Sequence, residues 1–142
     1  MDISLSFDSM RTKLGSMLVN YFKAEEINCE YKCDSCKKKT SITKYTEICI
    51  LPPVIVFHLK RFDTGYGKHN GSVDFHEILD VKPFTSDDYD LNVINKNEKS
   101  TKYELIAVSE HIGGSIDSGH YVAYSKREDK WYACNDSSIG HE

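Results

Sequence analysis

A chain of 142 residues, 39% of them hydrophobic, is long enough for one domain around one core. Its 22 acidic and 18 basic residues leave a formal net charge of -4, with Lys and Arg scattered rather than striped, so no nucleic-acid partner is expected. No apolar run approaches the roughly 20 residues that span a bilayer, and Met1-Asp2-Ile3-Ser4 lacks a signal-peptide pattern, so the expected setting is cytoplasmic or nuclear, with no membrane partner.

From Asp8 to about Glu26, Met10, Leu14, Met17, Leu18, Tyr21 and Phe22 recur at steps of three and four, which predicts a helix with one buried face, capped by Asp8 or Ser9. A cysteine-rich turn follows, with Cys29, Cys33 and Cys36. Thr40 to Leu51 is rich in Thr, Ile and Tyr and reads as a half-buried strand, ended by Pro52-Pro53. Val54-Ile55-Val56-Phe57-His58-Leu59 is almost continuously apolar and β-branched, which predicts a strand buried on both faces. Asp63 to Ser72 reads as a flexible exposed loop, Val73 to Phe84 as one or two short strands, and the polar stretch Thr85 to Thr101 as a surface insertion. Tyr103 to Ser109 alternates. Tyr121 to Lys126 and Lys130 to Cys134, joined by Arg127-Glu128-Asp129, form an antiparallel hairpin. The sum is α+β: one N-terminal helix and five to seven strands in an antiparallel sheet.

That hairpin has a chemical consequence. His120 begins its first strand and Asn135-Asp136 ends its second, so the two ends are neighbours. A ring N–H of His120 donated to an Asn or Asp oxygen fixes the tautomer and leaves the other nitrogen as a base, which is the back half of a nucleophilic triad. A structural histidine at a strand start is the plainer alternative. Gly119 allows close backbone approach, and Gly113-Gly114 with Ser118 make the preceding loop mobile enough to fold over a substrate.

Four ordered blocks extend the pattern: Leu51 to Phe62, ending in Leu59-Lys60-Arg61-Phe62; Val73-Asp74-Phe75 to Leu79-Asp80; Tyr103 to Gly113 with Ser118-Gly119-His120-Tyr121-Val122-Ala123-Tyr124; and Lys130-Trp131-Tyr132 with Asn135-Asp136-Ser137-Ser138. Together they resemble the C-terminal part of a ubiquitin-specific protease catalytic domain, with its histidine box, from about Leu5 to Ile139. The resemblance implies a palm- and fingers-like sheet, part of a papain-like cysteine protease fold, with residues 1–142 as one partial domain. It implies His120 as the general base, Asn135 as the residue orienting its imidazole, and Asp136 as a following acidic position that polarises the site or holds the oxyanion region. The choice between Asn135 and Asp136 rests on motif alignment alone. Tyr121 matches a cleft-lining position, and Gly113, Gly114, Ser118 and Gly119 fall in a substrate-covering loop. His58 and His111 match structural positions and are expected to be core histidines. Glu77, Asp80, Asp87, Asp88 and Asp90 are expected to be mostly solvated, with contact to a basic ubiquitin surface as the alternative.

The sequence departs from that family in two ways. No box of the type Gly-Asn-Thr-Cys-Tyr is present, and none of the five cysteines, Cys49 and Cys134 included, is a persuasive nucleophile, because an apolar setting raises a thiol's pKa. Both ends look truncated. The expected function is a deubiquitinating thiol protease fragment, inactive alone and completed by a cysteine-bearing N-terminal lobe, with ubiquitin or ubiquitinated proteins as partner. The alternative is a pseudoenzyme or ubiquitin-binding scaffold. No cofactor is expected for catalysis. Cys33-x-x-Cys36 has the spacing of half a structural zinc site, with Cys29 as a candidate third ligand; two free surface thiols are the other reading. A small zinc-binding interaction module would rest on that pair alone.

Overall fold

The computed structural model describes residues 1–62, 67–90 and 100–141, with side chains left undescribed at 28–30, 88–90 and 141. In chain order its elements are β1 (Asp2–Leu5), β2 (Arg11–Lys13), α1 (Leu14–Phe22), β3 (Glu25–Lys32), β4 (Lys39–Lys44), β5 (Ile48–Ile50), β6 (Val56–Leu59), β7 (Ser72–Asp74), β8 (Ile78–Asp80), a 3-10 turn (Lys82–Phe84), β9 (Thr85–Asp90), β10 (Lys102–Glu104), β11 (Ala107–Ile112), β12 (His120–Arg127), β13 (Lys130–Asn135) and β14 (Ser138–His141). One helix and mostly sheet is the α+β arrangement expected. The described strands are more numerous and shorter than the five to seven foreseen.

The largest sheet is antiparallel, in the order β11-β12-β13-β14. Glu128 and Asp129 close β12 on β13 with φ of 48° and 61°. Two successive positive φ values give a turn whose twist matches the flanking strands. Two-stranded ladders make up the rest: β3 with β4 and β8 with β10 antiparallel, and β1 with β6, β2 with β7 and β5 with β9 parallel. Lys126 joins two of these units. Its ammonium reaches Glu104 at 2.6 Å and Glu77 at 3.2 Å, and these carboxylates hold it above the usual lysine range.

The helix is shorter than its apolar spacing suggests. Arg11, Thr12 and Lys13 pair with Ser72, Val73 and Asp74, and Arg11 adds an ion pair to Asp74, so a tertiary ladder takes the backbone that local periodicity would have coiled. Met10 is left exposed, Lys13 is the N-cap without a side-chain cap, and Asp8 instead accepts a hydrogen bond from Asn20 at 2.9 Å. The buried face of α1 is Met17 and Leu18, which pack with Ile3 and Leu5 of β1. A second cluster, Ile48, Leu51 and Val81, adjoins it through Phe22, Ile55, Leu79 and Phe84.

Several expectations are corrected here. Val54 to Leu59 is not buried on both faces: β6 starts at Val56, and Val56 and His58 are exposed while Phe57 and Leu59 turn inward. Thr40 to Leu51 is two strands, because β4 pairs with β3 and β5 with β9. Thr85 to Asp90 is a strand, not insertion, and residues 91–99 lie outside the described residues. The stretch from Gly67 to Ser72 is tied down: Arg61 donates to the carbonyls of His69 and Gly71, and the His69 ring stacks on Phe7 at 4.1 Å. The remainder of that expected loop, 63–66, lies outside the described residues.

Leu18 is 1% exposed and Val19, beside it on the helix, 58%. Leu18→Ala is expected to lower the unfolding free energy by about 2–5 kcal/mol through lost burial and a residual cavity. Val19→Ala should stay within about 0.5 kcal/mol of the parent. Urea denaturation of both variants checks the core assignment, and equal midpoints would overturn it.

Candidate active site

The site sits at one end of the four-stranded sheet. β12 and β13 are in register with Ala123 opposite Cys134, and β11 and β12 with Ile112 opposite His120. Extending the first register by one residue puts Asn135 across from Val122, two residues from His120 and on the same face. That diagonal closes: His120 Nε2 and Asn135 Oδ1 are 2.5 Å apart. An amide oxygen only accepts, so Nε2–H donates and Nδ1 keeps its lone pair. Both residues are exposed, which leaves the ring open to a reacting group.

Asp136 is not part of this pair. With φ of 49° it lies in the two-residue connection that Asn135 and Ser138 close between β13 and β14, and it is exposed. Cys134 is half-buried and, one residue from Asn135, projects to the opposite face of the sheet from His120. Cys49 is exposed on β5 rather than set among apolar groups, and the side chain of Cys29 is outside the described ones.

The connection between β11 and β12 carries the residues expected to meet substrate. Gly113 and Gly119 have φ of 148° and 156°, a backbone that disfavours side chains, and a Cβ built at Gly113 would come within 2.9 Å of the Gly119 Cα. Gly114 faces open space, and Ser118 Oγ shares a hydrogen bond with Ser115 Oγ at 2.9 Å. Tyr121, 65% exposed, lies with its ring 4.8 Å from that of His111. Ile112, the cross-strand partner of His120, and Ile116, inside the connection, are also exposed.

His58 and His111 part company. His58 is exposed, its Nδ1 3.3 Å from Ser4 Oγ, so it is not a core histidine. The half-buried His111 has a buried Nδ1 that lacks a hydrogen-bond partner among the described residues. Lys68, read from sequence only as part of an exposed loop, was missed. Its ammonium donates to the carbonyls of His111 at 2.5 Å and Gly113 at 2.8 Å. Among the acidic residues, Glu77 is held by Lys126, and Asp80 takes Thr101 Oγ1 at 2.6 Å and the Lys82 N–H at 3.0 Å, the Thr101 bond first in holding its carboxyl below the usual range.

Cys33 and Cys36 lie in the turn between β3 and β4. Lys37 N–H donates to the Cys33 carbonyl and Cys33 N–H to that of Lys38. Backbone N–H groups of Cys36 and Ser35, with the Cys36 side chain, hold the Cys33 thiol below its ordinary value. Such a knuckle favours a thiolate and fits two of the four ligands of a tetrahedral metal. Among the described residues, no group of three or more His, Cys, Asp or Glu side chains is gathered for a metal.

The family described as ubiquitin carboxyl-terminal hydrolase matches residues 5–142. The chain belongs to this family. It is 33% identical over 144 residues to Ubiquitin carboxyl-terminal hydrolase 16 of Arabidopsis thaliana, covering 98% of this chain and 14% of that protein. It is 37% identical over 134 residues to human Ubiquitin carboxyl-terminal hydrolase 15, covering 89% and 13%. Among solved structures, a SAGA Ubp8/Sgf11/Sus1/Sgf73 DUB module bound to ubiquitin aldehyde superposes with a TM-score of 0.75 at 26% identity, over 99% of this chain and 32% of the other. The hydrolase relatives named here are thus far longer, and the chain spans less than a fifth of each. Among the described residues, no helix is long and apolar enough to cross a membrane.

Proposed function

We propose that the chain supplies the base and its orienting amide to a thiol-dependent hydrolysis of (iso)peptide or thioester bonds at the ubiquitin C-terminus, with the nucleophilic cysteine carried by a separate N-terminal lobe. The hydrogen bond between His120 Nε2 and Asn135 Oδ1 is the observation that carries this reading. In the reaction, Nδ1 of His120 takes the proton of the incoming thiol, and the thiolate attacks the carbonyl carbon. The imidazolium then protonates the leaving amine or thiol. Water, deprotonated at the same nitrogen, cleaves the acyl-enzyme, freeing the ubiquitin carboxylate and the thiol. Asn135 keeps the ring in the tautomer each step needs. Gly113, Gly114, Ser118, Gly119 and Tyr121 border the path of the tail, and Ile112, exposed on the His120 face, offers it an apolar contact. Asp136 acts from its turn and not through the imidazole.

Cys33 and Cys36 supply two thiolates to a structural zinc whose remaining ligands come from elsewhere; such an ion would brace the β3 and β4 arm and enters no chemical step. A cytoplasmic or nuclear setting accords with cysteines kept reduced.

The scaffold reading, in which the chain binds ubiquitin without turnover, draws on two observations: the sequence carries no nucleophile box, and Cys134 faces away from His120. Incubating the purified chain with ubiquitin bearing a C-terminal electrophile separates the two. No adduct is expected on this chain alone; adding a cysteine-bearing lobe should give an adduct on the lobe and turnover of a ubiquitin C-terminal fluorogenic substrate. An adduct on any of the five cysteines here would overturn the missing-nucleophile proposal. Ubiquitin binding with no turnover in the reconstituted pair would favour the scaffold.

A further inference from the structure

The turn that delivers His120 is anchored from outside itself. Two of its glycines adopt positive φ; the His111 ring occupies the space a side chain at Gly119 would need, and the backbone of Ser118 and Gly119 crowds that at Gly113. That ring is wedged edge-on against Phe62 at 5.5 Å and against Tyr121, its cross-strand partner, with Nδ1 buried and unbonded among the described residues. Glycine takes these φ values without strain, but a buried nitrogen left without a hydrogen bond is costly, so the seat of the His111 ring needs support from outside the turn.

Lys68 is placed to give that support. It sits 43 residues before His111 in sequence, in a stretch fixed by the Phe62–Lys68 bridge and by the Arg61 contacts to His69 and Gly71. Its one ammonium bonds the carbonyl of His111, on β11, and that of Gly113, inside the turn. Ile112, the residue between those two carbonyls, is the cross-strand partner of His120. A charge-assisted pair of hydrogen bonds thus clamps the backbone directly beside the base.

We propose that Lys68 is a positioning residue for the hydrolysis: it touches no reacting atom, and it fixes the β11–β12 turn so that His120 stays on Asn135 with Nδ1 presented to the thiol. The inference rests on the base role proposed for His120. Misplacement of a catalytic group by about 1 Å costs up to about 100-fold in rate, which sets the scale of the effect.

The test has two arms. In the first, long-range proton–nitrogen NMR of the His120 ring in the isolated chain reports the tautomer and needs no turnover. Lys68→Met should replace the Nε2–H pattern by an averaged one, while Lys68→Arg, which still donates to two carbonyls, should keep it. In the second, the chain reconstituted with a cysteine-bearing lobe should lose between about 10- and 100-fold in kcat on Lys68→Met with KM changed less than about threefold, and Lys68→Arg should recover most of it. Should Lys68→Met not fold, Lys68→Gln gives the same readouts. An unchanged His120 pattern in the neutral variants, or a loss confined to KM, would overturn the proposal. If the NMR pattern changes but no form of the reconstituted protein turns over, the base reading fails and the clamp stands. If turnover requires His120 but not Lys68, the clamp fails alone.

Discussion

His120→Ala is expected to reduce kcat for a ubiquitin C-terminal substrate by about 10²–10⁴-fold in the chain reconstituted with its cysteine-bearing lobe, the range that a positioned acid–base group contributes. The argument runs through the hydrogen bond to Asn135. With Nε2–H donated, the lone pair on Nδ1 is the one basic nitrogen of the ring, and removing the ring leaves the thiol without a proton acceptor and the leaving group without a donor. Binding should survive, since the side chain is exposed and no hydrogen bond other than that to Asn135 is described for it. The urea midpoint should therefore stay close to the parent's while turnover falls. Asn135→Asp retains an acceptor oxygen toward Nε2 and should fall far less than Asn135→Ala. Turnover undiminished in His120→Ala would remove the base from this site and with it the protease proposal.

Why this pair was legible in the sequence, and the clamp beside it was not, is a matter of sequence distance. His120 and Asn135 are joined by a hairpin whose alternation and polar turn are both local signals, and the contact spans 15 residues. The parallel ladders carry no such signal. β1 meets β6 with Ile3 opposite Phe57, and nothing near either residue announces the other. The same reason explains the helix: Met10 and Leu14 keep helical spacing, but the first turn was drawn into β2 by a partner at Ser72–Asp74. A β-branched run such as Val54 to Leu59 reads as buried on both faces, whereas β6 pairs only with β1 and leaves Val56 and His58 uncovered among the described residues. Lys68 stands in a glycine-rich polar stretch, where a solvated lysine and a backbone clamp look alike until His111 and Gly113 are brought to it. The buried Nδ1 of His111 is equally silent in sequence, since only packing shows that this nitrogen lacks a hydrogen bond among the described residues.

Gly119→Ala is the second large effect expected, and it acts on stability and activity together. A methyl group at this position would fall 2.1 Å from His111 Nε2, 2.7 Å from its Cε1 and 2.8 Å from the Ile112 carbonyl oxygen. Carbonyl and ring cannot both retreat: the oxygen belongs to the residue paired with His120, and the ring is held by Phe62 and Tyr121. To that overlap is added the φ of 156°, which an alanine resists. Backbone strain of about 1–3 kcal/mol and overpacking of about 1–3 kcal/mol give an expected destabilisation of about 2–6 kcal/mol. The relief available is displacement of the turn, which moves the residue next to it, His120, off Asn135, so kcat in the reconstituted enzyme should fall by about 100-fold even at temperatures where the variant remains folded. Gly114→Ala supplies the contrast within the same turn. Nothing lies within 4 Å of its added methyl, so it should be neutral or stabilising by up to about 1 kcal/mol. Urea denaturation and turnover measured on the two variants separate a general dislike of side chains in this turn from the specific seat of His111 over Gly119. A Gly119→Ala protein as stable and as active as the parent would mean that the imidazole of His111 does not rest there.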